Sequence, residues 1–388
     1  MGMRGKLLKE YGPKYQQVLD LLSRDILAGK YKSGQRFPSE AALVRQFGTS
    51  RITVGRAVRE LKDRGLVERI AGSGTFVRTR TLTKSAALFG LLIPDLGETE
   101  IFEPICNGMA GAPRVGPHAL LWGSTEPTQD TKEAQALKLC HQFIERKVSG
   151  VFFAPLELTP TKDETNHAIV QALEKARIPI VLLDRCFLPF PNRSKHDLVG
   201  IDHRRAGYLI TEHLLKLGCR RIVFVGYSGG AASVEARITG FREALFSYGA
   251  PLEADSVQRL ASMDPRELKQ LLERFHPGAF VCVNDQTAGC LMKAALDLGY
   301  QIPCDLRIVG IDDVEYAKLL PVPLTTIHQP CREIGQVAMA AMLDRIAQPS
   351  MTARDILLDC ELVVRRSCGR SLLDPVDDLR TSPKCDIC

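Results

Sequence analysis

No stretch of this 388-residue sequence stays apolar for the ~18 residues a membrane helix needs; the best candidates, such as Ala86–Pro94, are strand-sized. The opening MGMRGKLLKEYG has no apolar core followed by a small-residue cleavage site, so the expectation is a cytoplasmic protein with no membrane partner. Twelve cysteines occur without a repeated spacing, which points to reduced thiols used mostly as core filler. A single C-x-x-C, Cys385 and Cys388, lacks the second ligand pair of a zinc site. The eight histidines show no metal spacing, and no H-E-x-x-H or G-x-S-x-G occurs. Neither phosphate-binding loop pattern is present: G-x-x-x-x-G-K-[S/T] is absent, and Gly229-Gly230 is only a flexible glycine pair. These absences argue against an enzyme and against any metal or cofactor.

What is present is an ordinary globular composition, 45% hydrophobic and 25% charged, long enough for two or three domains. The formal charge of +6 is unevenly spread. Residues 1–80 hold 17 Lys and Arg against 7 Asp and Glu, whereas residues 81–388 hold 34 against 38. A basic module that meets a polyanion, joined to a body that does not, would have this asymmetry; so would a merely solubilising arm.

Three helices are expected in the basic module. The first carries Val18, Leu19, Leu22 and Ile26 on one face and stops at Gly29. After a polar loop at Lys30–Arg36, Ser39 caps a second helix that ends at Gly48, and Ser50 caps a third, with Val54, Ala57, Val58 and Leu61 facing inward. Leu66–Ile70 and Thr75–Arg78 read as a hairpin around Gly72, Ser73 and Gly74. Helix, tight turn, helix and hairpin make a winged helix-turn-helix. Ser50, Arg51, Thr53 and Arg56 lie on the outer face and N-terminus of the third helix, where phosphate and base contacts are made. Gly34–Val77 resembles the GntR-family DNA-binding domain in its P-S-E, S-R-x-T-V, G-L-V and G-x-G-T-F-V pieces. The resemblance implies double-stranded operator DNA as partner, usually bound by a homodimer, with Ser39, Glu40, Arg45, Ser50, Arg51, Thr53, Arg56, Arg69 and the wing residues Gly72, Ser73 and Gly74 at the interface. Two positions that are commonly Arg in the family are Ala41 and Gly55 here, so base preference is expected to be unusual.

Thr79–Ala87 has no periodicity and reads as a linker. From Leu88 on, short Val/Ile/Phe-rich strands alternate with helices, which means parallel sheets with helices on both faces. Some 280 residues of this pattern fit two lobes around a cleft better than one sheet. Polar groups recur at strand ends: Asp184-Arg185, Asn284-Asp285 and Asp312-Asp313, with Arg237 on a following helix. Converging, they could hold a polyhydroxylated ligand; singly, each could cap the next helix.

Val199–Gly226, Ala236–Leu245, Val283–Gly289 and Val309–Pro330 resemble the effector domain of LacI/GalR-family repressors, whose fold is that of periplasmic binding proteins. The resemblance implies Arg237 and Asp285 as effector ligands, usually for a sugar, with Asp184, Arg185 and Asn284 beside them. It also places interlobe crossovers near 185–190, 312–316 and 327–331. Phe102, Trp122 or Tyr316 could supply a stacking face, since Ser262 and Met263 stand where many members have an aromatic. The stretch GMAGAPRVGP breaks the expected first helix of this domain.

The expected architecture is thus α/β: a winged helix-turn-helix over residues 1–78, a linker at 79–87, a two-lobed sensor over 88–366 and a poorly ordered tail at 367–388. The expected function is ligand-responsive transcriptional regulation, with a sugar-like effector releasing a homodimeric repressor from DNA. A regulator answering a non-sugar molecule is the alternative. A solute-binding protein would need a leader, and a pyridoxal-phosphate enzyme fused to a DNA reader would need a cofactor lysine context that the sequence does not offer.

Overall fold

The computed structural model describes residues 14–27, 30–32, 34–63, 66–70, 74–77, 87–94, 100–112, 118–123, 130–262, 264–275 and 278–370. Gly72 and Ser73 of the wing, linker residues 79–86, Met263, and the tail from 371, including Cys385 and Cys388, lie outside them. The chain divides into two units between residues 85 and 86.

The first unit contains α1 (Lys14–Leu27), α2 (Glu40–Phe47), α3 (Arg51–Asp63), β1 (Val67–Ile70) and β2 (Gly74–Val77). Its core is the apolar face of each element: Val18, Leu19 and Leu22 from α1, Leu43 from α2, Val54, Ala57 and Leu61 from α3, and Val67 and Val77 from the hairpin. Ser39 caps α2 through the Ala42 amide, and Gly48 ends it in the left-handed region at φ +57°. The loop expected at 30–36 is partly paired to the wing through an isolated bridge between Arg36 and Phe76. Gly34 and Phe37 donate to the Val77 and Thr75 carbonyls, and Val77 donates to Gln35. Backbone alone makes this pairing, so its polar side chains gave no sign of it.

The second unit continues with β3 (Ala87–Leu92), α4 (Phe102–Ala110), β4 (His118–Trp122), α5 (Lys132–Glu145), β5 (Gly150–Phe153), α6 (Lys162–Lys175), β6 (Ile180–Leu183) and β7 (Asp197–Ile201). Then come α7 (His203–Lys216), β8 (Ile222–Tyr227), α8 (Ala232–Ser247), β9 (Val257–Leu260), α9 (Pro265–Phe275), β10 (Gly278–Cys282), α10 (Asp285–Asp297) and β11 (Leu306–Val309). The last elements are a 3-10 turn at Glu315–Lys318, β12 (Thr326–His328), α11 (Cys331–Ala347), β13 (Asp355–Leu358) and β14 (Glu361–Val363).

A parallel sheet of order β13-β7-β6-β5-β3-β4 makes one lobe and a parallel sheet of order β11-β10-β8-β9 the other. Strand alternation explains why both faces need helices. In β5, Val151 and Phe153 join the α5 and α6 side while Phe152 joins the α4 and α11 side. β12 and β14 form a separate antiparallel pair. The first crossover is not at 185–190. β7 pairs with β6, so the chain stays on the first sheet until Ile201 and changes lobes through α7. The return runs through β12 into α11.

Three further expectations change. β3 already starts at Ala87, inside the expected linker. Ser367 and Cys368, expected in the tail, are fully buried, and the Ser367 hydroxyl accepts the Thr325 amide at 2.9 Å. Among the described residues nine cysteines are free and Cys304 is disulfide-bonded, a departure from the expected free thiols. Among the described residues no helix is long and apolar enough to cross a membrane.

Candidate DNA-reading surface and effector cleft

In the first unit, the hydroxyls of Ser50 and Thr53 lie 2.8 Å apart at the N-terminus of α3, and Ser50 also accepts the Thr53 amide at 3.2 Å. The remaining unpaired first-turn amides and the positive end of the helix dipole make this an anion-seeking end. Arg51 beside it has a side chain 85% exposed, with Glu40 at 3.8 Å, a contact too solvated to restrain it much. Arg56 is turned back onto the Tyr15 ring of α1 at 3.8 Å, a cation–π contact. Arg45 bends to its own helix at Ala41 O, 3.4 Å. Ser39 serves its helix as cap through the Ala42 amide. Arg69 is exposed on β1 opposite Thr75, and Gly74 opens β2 at φ +117° against the Arg36 side chain. Arg36, Ile52, Arg59 and Lys62 are exposed too, and the sequence reading passed over all four.

In the second unit the strand-end residues do converge. Asp184 follows β6 with φ +65° and is buried. His203, at the start of α7, donates from Nε2 to the Asp184 carbonyl at 3.0 Å and lies 3.1 Å from its carboxylate. The other ring nitrogen, Nδ1, accepts from Arg237 Nε at 3.2 Å. Arg237 Nη1 donates to the Val283 carbonyl at 2.5 Å and Nη2 to Asp312 Oδ1 at 3.4 Å. Gln329 donates to the same Asp312 oxygen at 2.6 Å. A buried polar chain thus runs Asp184–His203–Arg237–Asp312–Gln329, from the first sheet to the return crossover. Low dielectric strengthens each of its bonds and makes any orphaned member costly.

Arg185 reaches across the first lobe. It donates to the Pro155 carbonyl at 2.9 Å, pairs with Glu157 at 2.7 Å and lies over the Phe102 ring at 5.6 Å. Glu157 in turn accepts the Ala231 amide at 3.2 Å. That amide begins α8, which has no side-chain cap of its own, so a first-lobe carboxylate caps a second-lobe helix. Leu158 N to Gly229 O, 3.1 Å, adds a backbone tie between the same two segments.

Asp285 is fully buried and its carboxylate holds the crossover: Thr326 Oγ1 donates at 2.6 Å and the Val314 amide at 3.0 Å. Asn284 uses its side-chain oxygen to cap α10 through Thr287, at 2.8 Å. Phe102 is fully buried beneath Arg185, and Trp122 is 59% exposed on edge strand β4. Tyr316 is half-buried, and its phenol is pushed up by burial, then by Glu100, Asp285 and Asp312. The network residues that sequence reasoning missed are Glu157, His203 and Gln329. Only His203 carried a signal, lying directly after the Asp202 that caps α7.

Burial would raise the Asp184 carboxyl, but His203, Arg185 and Arg237 outweigh it and hold it well below the ordinary range. Asp312 goes the other way: burial, only partly offset by Arg237 and reinforced by Asp285, pushes it up to about 7. Asp285 is pushed up to about 6, again by burial first. A carboxyl whose folded pKa is raised contributes stability that is complete below its unfolded value near ~4 and is lost as pH climbs through the folded value. Asp312→Asn keeps an oxygen for Gln329 and Arg237 but removes this titration. Its melting temperature should therefore gain on the wild type as pH rises from about 5 to about 8. A constant difference across that range would exclude the assignment.

The reader matches the model of bacterial regulatory proteins of the gntR family over residues 14–77. The sensor matches a periplasmic binding protein-like domain over residues 211–368. An arabinose metabolism transcriptional repressor of Geobacillus stearothermophilus is 30% identical over 92% of this chain and 97% of its own length. The chain belongs to the GntR-type transcriptional regulators that carry a LacI-type sensor. A ribose operon repressor of Halalkalibacterium halodurans is 26% identical over 82% of the regulator and 94% of that protein. Among solved structures, a LacI-family regulator from Enterococcus faecium with bound ribose superposes with a TM-score of 0.60, at 26% identity over 72% of the regulator and 98% of that chain. The regulator is accordingly a DNA-binding, ligand-responsive transcription factor, and the relatives it matches are transcriptional regulators.

Proposed function

We propose that the regulator is a cytoplasmic homodimeric repressor that leaves its operator when a sugar-like effector occupies the sensor cleft. The observation that carries this reading is the buried Asp184–His203–Arg237–Asp312 chain, which joins the two lobes through groups that a hydroxyl can replace. An effector inserting between these groups changes which lobe angle is favoured. It does so only by binding one state better, with a coupling of typically ~1–3 kcal/mol. Asp184, Arg185 and Arg237 are the proposed direct partners. Asn284 and Asp285 shape the cleft from α10, and Tyr316 lies at its 3-10 turn. With Phe102 covered by Arg185, recognition rests on hydrogen bonds rather than on ring stacking. On the DNA side, Ser39, Glu40, Arg45, Ser50, Arg51, Thr53, Arg56, Arg69 and Gly74 are proposed at the operator, two readers meeting two half-sites.

A thermal-shift panel of pentoses and hexoses tests the sensor. The effector at 100 times its Kd should add about 2.7 kcal/mol of stability and release bound operator in a mobility-shift assay. Operator affinity unchanged by every sugar would count for a non-sugar effector. No affinity for duplex DNA at low salt would remove the whole reading.

A further inference from the structure

In a helix-turn-helix, the residues that reach base edges come from the N-terminal part of the second helix. Here that helix is α3, and its exposed described residues are Arg51, Ile52, Arg56, Arg59 and Lys62. Four are cations suited to phosphate, and one is not. Ile52 is 85% exposed, and among the described residues of the reader it is the one large apolar side chain that is. A β-branched apolar group held in water in the first turn of a cationic helix gains nothing from folding, since no core contact uses it.

Its neighbourhood sharpens the point. Gly55 lies one turn further along the same strip, and a Cβ there would meet nothing nearer than the Glu40 carboxylate at 3.9 Å. No packing constraint therefore requires glycine at that position. Arg56, the next residue, is drawn away onto Tyr15. The strip beyond Ile52 is thus left low at Gly55, with the Arg51–Glu40 pair beside it and Arg59 one turn further along. The major groove offers one apolar group to such a surface, the C5-methyl of thymine.

We infer that Ile52 is a specificity-determining residue that reads a thymine methyl in each half-site, with Gly55 leaving room for the base edge to approach. The cations around it make duplex DNA the occupant of this face, because a protein partner would meet a strongly positive rim.

Duplexes enriched from a random library by the full-length protein supply the probe. In these, each thymine is replaced in turn by deoxyuridine, which removes the methyl group alone. The expected result is one thymine per half-site whose replacement weakens wild-type binding roughly three- to tenfold, the scale of burying one methyl against an apolar side chain. Ile52→Ala should bind the thymine and deoxyuridine duplexes equally, whereas Ile52→Val should keep the discrimination. The dependence of binding on salt should be unchanged, since no phosphate contact is lost. Exposure of the site means that all three proteins should have the same melting temperature. The inference is overturned if no deoxyuridine position affects the wild type. It is equally overturned if Ile52→Ala keeps the full methyl preference, or if it weakens binding to all sequences alike.

Discussion

Arg237→Ala is expected to cost about 3–5 kcal/mol of stability and to abolish any effector-induced thermal shift. Three acceptors lose their donor at once: His203 Nδ1, the Val283 carbonyl and Asp312 Oδ1. All are buried, so water does not easily replace the guanidinium. Asp312 then keeps only Gln329. Because burial already pushes its carboxyl up to about 7, it will take up a proton at mildly acid pH and relieve part of the penalty. The variant should therefore be less impaired at pH 6 than at pH 8. Arg237→Lys preserves the charge but cannot supply three donors in a fixed planar fork, so it should recover stability only in part and binding hardly at all. Denaturant unfolding at the two pH values, paired with the sugar panel, gives both readouts. Wild-type stability in Arg237→Ala would show that the polar chain does not tie the lobes together.

That chain was half legible in the sequence. Asp184 and Arg237 stand out because charged residues directly after apolar strands, or on the helices that follow them, fall at the carboxyl ends of a parallel sheet. Glu157 does not stand out. Its role comes from the approach of two segments, 157–158 and 229–231, that belong to different lobes, and nothing local encodes that approach. Asn284 shows the converse: a polar residue at a strand end that also answers a local need, the cap of α10.

The same division runs through the fold. Ser39 and Ser50 were readable as caps because capping is a short-range event set by spacing. The principal sheet strands β3, β4, β5, β6, β7, β8, β10 and β11 were readable as apolar runs. β9, β12, β13 and β14 are short and each includes polar or charged residues, so no apolar run marks them and their pairing depends on neighbours far along the chain. Gly108 is the most instructive residue of the glycine-rich stretch. The helix does stop within that stretch, α4 running from Phe102 to Ala110 with Gly111 as its C-cap, but Gly108 itself lies inside it. Gly108 is there because α11 crosses so closely that any side chain would overlap the Arg332 carbonyl. Helix propensity and helix packing demand opposite things at that position, and packing wins.

The second lobe repeats this arrangement, and Gly240→Ala should expose it. Gly240 lies on α8 against α7, where a Cβ would overlap the carbonyl oxygen of Arg204 and crowd the Tyr208 amide. Both obstacles are backbone, so no side-chain rotation relieves them. The helices must separate, and the buried contacts of Ile210, Leu214, Phe241 and Ala244 loosen with them. Overpacking of this kind costs typically 1–3 kcal/mol, and a clash with a rigid helix backbone lies at or above the upper end. In an isolated helix the same change would instead favour folding by about 1 kcal/mol. The effect should also reach the cleft. Arg237 lies three residues before Gly240, less than one turn of α8 away, and α7 supplies His203 from its first residue. Moving α8 off α7 stretches the 3.2 Å bond between them. Gly240→Ala should therefore weaken effector binding at temperatures where the protein is still folded, while direct contact between its own methyl and the effector plays no part. Calorimetric unfolding together with effector titration at 10–15 °C below the variant's midpoint, roughly 3–7 kcal/mol on the safe side for a domain of this size, separates the two effects. Normal effector affinity in a destabilised Gly240→Ala would mean that α8 relaxes without disturbing Arg237, and that the crossing supports the fold alone.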